Sequence, residues 1–353
     1  MSGTGRNEAD RAGAVRDAVE RLRRSGLLAA TVPSRLGGPE FPASVIAEVF
    51  RILASGDGSL GQIAQSHMTF SRWLFTGSHP HDEERWADLL LDGVLIANAQ
   101  AESAPVILEN NRLNGRKVFC TGSAYADVLA VTARRPGEDD QSLVVFLPVD
   151  TPGVTILDDW AALGQEFTTS GTVILQDVEV HAGDVRSMSV SMSSPLTPPA
   201  YGAFAQLLHT AIDVGISGAA LDAALEIAHS SDPDLLTAYV AGDLVAQQFA
   251  AEAVLEKAGR SVDAVWSGDV PGTAASLDVA AAKATTSALT VDLASRIFEL
   301  TGTAGATGAH GQTLARHWRD LRTHTLHDRR REKLTVIGRA ALSGDDPDPG
   351  RRL

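Results

Sequence analysis

The chain has 353 residues, long enough for about two to three domains and for a sizeable core without cross-links. Its 44% hydrophobic and 21% charged residues exclude wholesale disorder, and a net charge of −14 argues against a general nucleic-acid binder or an anionic-membrane binder. The single cysteine, Cys120, excludes an internal disulfide and any multi-cysteine metal cluster. No apolar run approaches the ~20 residues of a membrane span and the first residues lack a secretory apolar core, so the cytoplasm is the expected compartment.

The first region reads as helical. Val15, Ala18, Val19, Leu22 and Leu27–Leu28 follow the rhythm of one helix face, with Gly26 as a stop. Pro33, Gly37, Gly38, Pro39 and Pro42 punctuate a loop. Helices are expected over Ala43–Leu53 and Leu60–Leu74, split by Ser55-Gly56-Asp57-Gly58. From Gly93 to about Val185 the period falls towards two. Val94–Ala99 is a short apolar run, and Asn114-Gly115 between extended flanks predicts a hairpin turn. Further strands are expected at Val128–Thr132, Leu143–Val149, Val154–Leu157 and Gly171–Val180, making a compact barrel or sandwich. Ser187–Ala200 reads as a linker. Beyond Tyr201, long Ala-rich stretches interrupted by Asp232-Pro233 and by Ser267–Gly272 predict an antiparallel bundle. The tail from Gly344 is expected to fray. The expected organisation is a helical domain over 1–92, a β domain over 93–186 and a helical bundle over 187–353.

The order helix, β, helix at this length resembles the acyl-CoA dehydrogenase superfamily, and local strings make the resemblance specific. They are Ser25-Gly26-Leu27-Leu28 with Val32-Pro33 and Gly37-Gly38, the segment Leu113–Asp127 (LNGRKVFCTGSAYAD), and Trp160–Val173 ending in Ser170-Gly171-Thr172-Val173. Phe298–Thr303 stands at the family's glycine-rich turn, followed by Arg316–Asp320. The resemblance covers roughly residues 15 to 340. Within the superfamily, Arg319–Asp328 (RDLRTHTLHD) and Tyr201–Ala211 (YGAFAQLLHTA) resemble the flavin-dependent (group D) monooxygenase branch. That branch includes the dibenzothiophene monooxygenases and sulfur-acquisition oxidoreductases.

This resemblance implies an α+β multidomain fold and an oxidoreductase that takes reduced flavin from a partner reductase. The flavin is FMN, with FAD possible, and O2 is used through a C4a-(hydro)peroxyflavin to oxygenate a small organic substrate. The flavin carries the hard chemistry and the protein supplies position, electrostatics and exclusion of water. By the same resemblance His324 and His327 lie near the flavin ring, where a histidine can hold or donate a proton near neutral pH. If their segment is helical, the two share one face. His67 falls where the branch places another active-site histidine, and Asp328 aligns with the dehydrogenases' catalytic glutamate, one carbon shorter. Asn98, Thr121 and Ser123 are expected to hydrogen-bond the flavin, with Ser123 also placed to contact oxygen. Gln100, where relatives carry Ser or Thr, is expected among the flavin-binding residues too. Gly302 and Gly305 belong to the turn that approaches the flavin's phosphate or adenosine end. Cys120 reads as a buried apolar residue. A homodimer or homotetramer is implied.

His317, His324, His327 and Asp328 offer metal-ligand types along one segment. Without a second segment of similar character, no metal site is expected. Gly302–Gly308 follows a helix rather than a strand, which excludes a Rossmann phosphate loop. Arg329-Arg330-Arg331 reads as a solvated face, where relatives carry a proline. The segment before Asp232-Pro233 is short, and no arginine occurs between Arg186 and Arg260, so the flavin phosphate needs another cation, such as the basic cluster Arg316–Arg331. Two alternatives stay open: a desaturating dehydrogenase, whose mark is a carboxylate base beside the flavin, and a flavin-free protein on the same fold with a binding or non-redox role.

Overall fold

The computed structural model describes residues 4–76, 82–138, 141–189, 199–230, 233–345 and 347. The chain divides into two compact units. The first holds Met1–Phe41, Gln62–Ala161 and Glu166–Pro198; the second holds Pro42–Gly61, Ala162–Gln165 and Pro199–Leu353. Most of the expected linker Ser187–Ala200, the residues Ser231 and Asp232, and most of the tail lie outside the described residues.

In the first unit, helix α1 (Thr4–Arg24) ends before Gly26, whose left-handed φ of 79° starts a short 3-10 turn. Most of α3 (Gly58–Leu74) and all of α4 (Glu83–Leu91) also belong here. Among the described residues eight strands form two sheets. Strands β1 (Ile96–Ala99), β4 (Val128–Ala133), β5 (Gln141–Pro148) and β8 (Val185–Ser189) make one, in the order β1-β4-β5-β8. Strands β2 (Ile107–Glu109), β3 (Arg112–Lys117), β7 (Val173–Glu179) and β6 (Val154–Ile156) make the other, in the order β2-β3-β7-β6. β1 and β4 are parallel, and the other pairings between these strands among the described residues are antiparallel. Inward residues of both sheets, among them Leu129, Val131, Leu143, Val145, Leu113, Leu175 and Val178, share one core. The outward face of the first sheet carries Phe146. Phe70, Trp73 and Trp86 from α3 and α4 pack on it with ring centroids 5.0–6.1 Å away.

The hairpin expectation needs correction. Asn114 and Gly115 lie within β3, not in a turn. The two-residue turn is Asn110-Asn111, both left-handed at φ 50° and 59°, between the paired residues Glu109 and Arg112. Asparagine tolerates that region because its short side chain bonds locally. Gly115 instead marks a register shift in the β3–β7 ladder, with φ 146°. A Cβ there would meet Val106 Cγ2 at 2.7 Å, which is why the position is glycine.

The second unit is a helical bundle: α2 (Ala43–Gly56), α5 (Tyr201–His229), α6 (Leu235–Trp266), α7 (Gly272–Thr301), α8 (Gly308–His324) and α9 (Arg330–Ser343). This is the acyl-CoA dehydrogenase-like arrangement that the resemblance implies. α5 is the central helix. From Gly202 to Ser217 every residue is buried, and it packs against α2, α6, α7 and α8. Asp234 starts α6 by accepting from the Thr237 backbone N–H at 2.8 Å. α2 crosses α5 at Gly215, where a Cβ would stand 2.2 Å from the Arg51 carbonyl oxygen. The segment Ala162–Gln165 is tied to α8. Asp320 Oδ1 accepts from the Gln165 backbone N–H at 2.6 Å, and a Cβ at Gly164 would meet the Arg319 carbonyl at 2.3 Å.

These approaches fix a contrast between glycines. Gly215→Ala is expected to lower unfolding free energy by about 1–3 kcal/mol, because backbone must move to admit the methyl group. Gly338→Ala, in α9 with open space around it, is expected to raise it by about 0.5–1 kcal/mol. Urea unfolding followed by circular dichroism reads both; equal effects would mean that the α2–α5 crossing is not tight.

Candidate active site

The second unit collects an unusual set of polar groups in its core. The buried stretch of α5 from Gly202 to Ser217 is mostly apolar but holds a few polar side chains, of which Gln206, His209 and Asp213 lie on one face, three and four residues apart. α7 adds Lys283, the one cation in the Ala-rich run Val279–Leu289, and it is only 1% exposed. The last turn of α8 adds His324, and the turn after it adds His327 and Asp328.

These side chains form a chain of hydrogen bonds. Lys283 Nζ donates to Asp213 Oδ2 at 2.5 Å and reaches the His209 carbonyl oxygen at 3.4 Å. The other Asp213 oxygen, Oδ1, stands 2.5 Å from His324 Nδ1. A carboxylate can only accept here, so Nδ1 carries the proton and His324 Nε2 carries the lone pair. That lone pair faces His209 Nδ1 at 3.1 Å, which makes His209 Nδ1 the donor. His327 Nδ1 donates to the His324 carbonyl at 2.9 Å. The three imidazoles stand with ring centroids 4.0 Å apart for His209–His327, 5.2 Å for His209–His324 and 5.4 Å for His324–His327.

Electrostatics agree with this assignment. Burial pushes His324 below the ordinary histidine range, and the adjacent Asp213 only partly opposes it, so the ring is neutral at neutral pH. Burial alone would raise the Asp213 carboxyl, but Lys283 and His324 outweigh it and hold Asp213 ionised.

Asp328 is committed differently from a free base. Its Oδ2 accepts from Gln206 Nε2 at 2.7 Å and from the buried Lys333 Nζ at 2.6 Å, while Oδ1 accepts from the Arg329 backbone N–H at 2.8 Å. Gln206 Oε1 is buried with no partner among the described residues. Beside Asp328 lies a cavity of about 490 Å³ lined by Arg322, Arg329, Arg330 and Arg331 with Ser287 and Thr325. His317 is separate from the trio and lies against Arg316, Nη2 to Nε2 3.2 Å.

In the first unit Asn98 lies in β1, and Thr121 and Ser123 lie in the turn and 3-10 segment that follow β3. Thr121 Oγ1 bonds Ser170 Oγ at 2.8 Å, Ser170 bonds Thr168 at 2.7 Å, and Ser123 Oγ donates to the Thr169 carbonyl at 3.2 Å. Gly122 turns the chain with φ 78°. Thr169, itself left-handed at φ 46°, buries a hydroxyl with no partner among the described residues. Asn98 is half-buried and donates from Nδ2 to Ser66 Oγ at 3.0 Å. Gln100 is exposed, and the bonds it makes run through its backbone oxygen, from Lys117 Nζ and Thr132 Oγ1. Cys120 is fully buried, which pushes its thiol up to about 12 and leaves it inert. His67, expected as an active-site histidine, has both ring nitrogens bonded to backbone. His67 is fully buried, Nε2 donates to the Leu28 carbonyl at 2.7 Å and Nδ1 accepts from the Ile96 N–H at 3.1 Å. Both nitrogens serve to join the turn after α1 to β1. Gly302 ends α7 with φ 52°, and Gly305 packs where a Cβ would meet Thr301 Oγ1 at 1.9 Å. Their conformations account for both glycines.

The middle-domain model of the acyl-CoA dehydrogenases matches residues 97–178 and their C-terminal-domain model matches 203–328. A dibenzothiophene monooxygenase of Mycolicibacterium goodii is 30% identical over 97% of this chain and 91% of its own. The chain belongs to the acyl-CoA dehydrogenase superfamily, among its flavin monooxygenases. The solved dibenzothiophene monooxygenase TdsC from Paenibacillus sp. A11-2, in complex with FMN and indole, superposes with a TM-score of 0.86 at 27% identity, covering 96% of this chain and 92% of that one. The methanesulfinate monooxygenase MsuC from Pseudomonas fluorescens does so at 0.84 and 26%, covering 97% and 96%.

His209, Asp213, Lys283, Gln206 and Lys333 were not singled out from sequence. A lone lysine amid alanines and an acid amid apolar residues are the signals that mark a buried pair.

The burial of His67 has a measurable consequence. Its pKa of about 4 lies below the unfolded 6.5, so between these values the unfolded chain binds the proton and the native state does not. Stability from this group is therefore full above pH 6.5 and falls as pH drops towards 4. Between pH 7.5 and 5 the loss is about 2 kcal/mol. His67→Asn is expected to be less stable at pH 7.5 yet to show a correspondingly shallower pH dependence in urea unfolding; an unchanged slope would overturn the assignment.

Proposed function

We propose that this protein is a flavin-dependent monooxygenase that uses FMN, received reduced from a separate reductase, to oxygenate a small organic molecule. The observation that carries the reading is the carboxylate-anchored histidine chain Asp213–His324–His209, in a family member whose Asp328 is already bound by Lys333 and Gln206. A desaturating dehydrogenase needs an available carboxylate base. Proton handling by imidazole suits oxygen chemistry instead.

Reduced FMN, when bound, supplies the electrons that activate O2. The residues of this chain fit such a group. The hydroxyls of Thr121, Ser123 and Thr169, the last of them without a partner among the described residues, offer groups that can donate to or accept from the ring's heteroatoms. Taken by itself, the second unit carries the guanidinium groups of Arg322 and Arg329–Arg331 around a cavity, a set suited to an anion. Arg186, the nearest arginine before the bundle, is buried and paired with Asp82. Within the histidine chain, a proton arriving at His209 can be shared with His324 Nε2, and the Asp213 carboxylate stabilises the resulting imidazolium. Small organic substrates follow from the relatives, whose names include dibenzothiophene and methanesulfinate.

The chain is also read as a cytoplasmic homo-oligomer; no described helix is long and apolar enough to cross a membrane. Leu235, Tyr239, Gly242, Val245 and Phe249 fall within about 120° of one α6 face. Leu235, Tyr239 and Phe249 are each at least 72% exposed. A solvent-facing aromatic and aliphatic stripe of this kind suits a subunit contact.

Two measurements test these readings. Anaerobic titration with reduced FMN, then admission of air with thiophenes, indoles and sulfinates, is expected to give saturable binding and oxygenated product. Asp213→Asn is expected to keep FMN affinity while product formation falls about 10²-fold and H2O2 release rises. Absence of reduced-flavin binding by the wild type would overturn the function. Light scattering should show a multimer that Tyr239→Glu with Phe249→Glu dissociates; an unchanged mass would remove α6 as the contact.

A further inference from the structure

Metal binding was unexpected from sequence because the histidines of 317–327 lack a ligand-bearing partner segment. The fold supplies one. His209 arrives from α5, more than a hundred residues earlier, and one ring nitrogen from each of His209, His324 and His327 lies within 4.8 Å of the others. We propose that these three histidines form a binding site for a divalent transition-metal ion such as Zn²⁺ or Co²⁺, with a fourth position open to solvent.

Geometry carries this furthest. Two zinc–nitrogen bonds of about 2.05 Å at a tetrahedral angle place their nitrogens roughly 3.3 Å apart. His209 Nδ1 and His324 Nε2 stand 3.1 Å apart. When the His209 ring proton sits on Nε2 instead of Nδ1, the neutral imidazoles present two lone pairs at ligand spacing. His327 is exposed at the turn after α8, with its ring centroid 4.0 Å from that of His209 and a ring nitrogen within 4.8 Å of the other two. The surroundings are those of a metal-binding histidine. Asp213 accepts from His324 Nδ1 at 2.5 Å, fixing Nε2 as the coordinating nitrogen and raising its basicity. Lys283 neutralises Asp213 from its other oxygen. Three imidazoles without oxygen ligands select zinc, cobalt, nickel or copper over magnesium and calcium.

The ion and the proton use the same nitrogens. Bound metal therefore withdraws the histidine chain from proton transfer and acts as a reversible inhibitor. That consequence rests on the monooxygenase reading, whereas the binding itself does not.

The test uses untagged, flavin-free, chelator-treated full-length protein. Co²⁺ is added and followed by visible absorption, then displaced by Zn²⁺, with Zn²⁺ binding also measured by calorimetry. The expected result is one ion per chain with the intense bands of low-coordinate cobalt. His327→Ala should weaken binding at least tenfold, and being at an exposed position it should keep wild-type circular dichroism. His209→Gln should abolish the cobalt bands. No saturable uptake of either ion, or uptake unchanged in both variants, would overturn the site. Because no flavin is present, failure of the monooxygenase reading leaves this measurement intact.

Discussion

The buried ion pair of Lys283 with Asp213 is the constraint on which the site rests. Neither charge reaches water. Burying an acid and an ammonium is costly, and their attraction repays it only with good geometry and satisfied remaining bonds. Both conditions hold. Lys283 reaches one Asp213 oxygen and the His209 carbonyl, and His324 takes the other oxygen. An apolar pair of similar volume would serve α5–α7 packing at least as well. What the ionic pair adds is a direction: a fixed anion at a fixed distance from one nitrogen of one histidine.

From that anion the protonation pattern propagates outward. Asp213 sets the tautomer of His324, which in turn sets His209. The turn after α8 sets His327 separately, through the His324 carbonyl. Each step follows from the donor and acceptor inventory of the side chains. The packing of α5 against α7 and α8 thus does chemical as well as structural service. Asp320, four residues before His324, anchors α8 to the segment Ala162–Gln165 and keeps the same helix in register.

The fold was largely legible in sequence, and the reasons differ by region. Helix periodicity and the strand runs of 128–180 report burial on one face or two, a local property that a sequence displays directly. The Asn114-Gly115 reading failed because the same dipeptide suits a primed turn and a strand irregularity. Only the contact of Gly115 with Val106 and the competing Asn110-Asn111 turn decide between them. The site was half legible. His324, His327, Thr121 and Ser123 sit in recognisable strings. Asp213 and Lys283 are 70 residues apart and acquire meaning only when α5 and α7 pack. His67 shows the reverse: a histidine in a family-like string whose two nitrogens are spent on backbone groups that no sequence window contains.

Asp328 shows how one position changes role without leaving its place in the chain. At the corresponding point a dehydrogenase uses a glutamate as a base. The aspartate here is shorter, and it is received by Lys333 from the first turn of α9 and by Gln206 from α5. Those two donors hold the carboxylate against the start of α9, where it also accepts from the Arg329 N–H. An acceptor filled from three sides is a poor proton abstractor, because taking a proton would forfeit charge-assisted bonds to Lys333 and Gln206. The same bonds keep Gln206 turned so that its oxygen stays in the interior with no partner among the described residues, one helical turn from His209. Removing the base from service and carrying an imidazole chain on the same helices are thus two results of one arrangement, and both favour proton retention over proton abstraction.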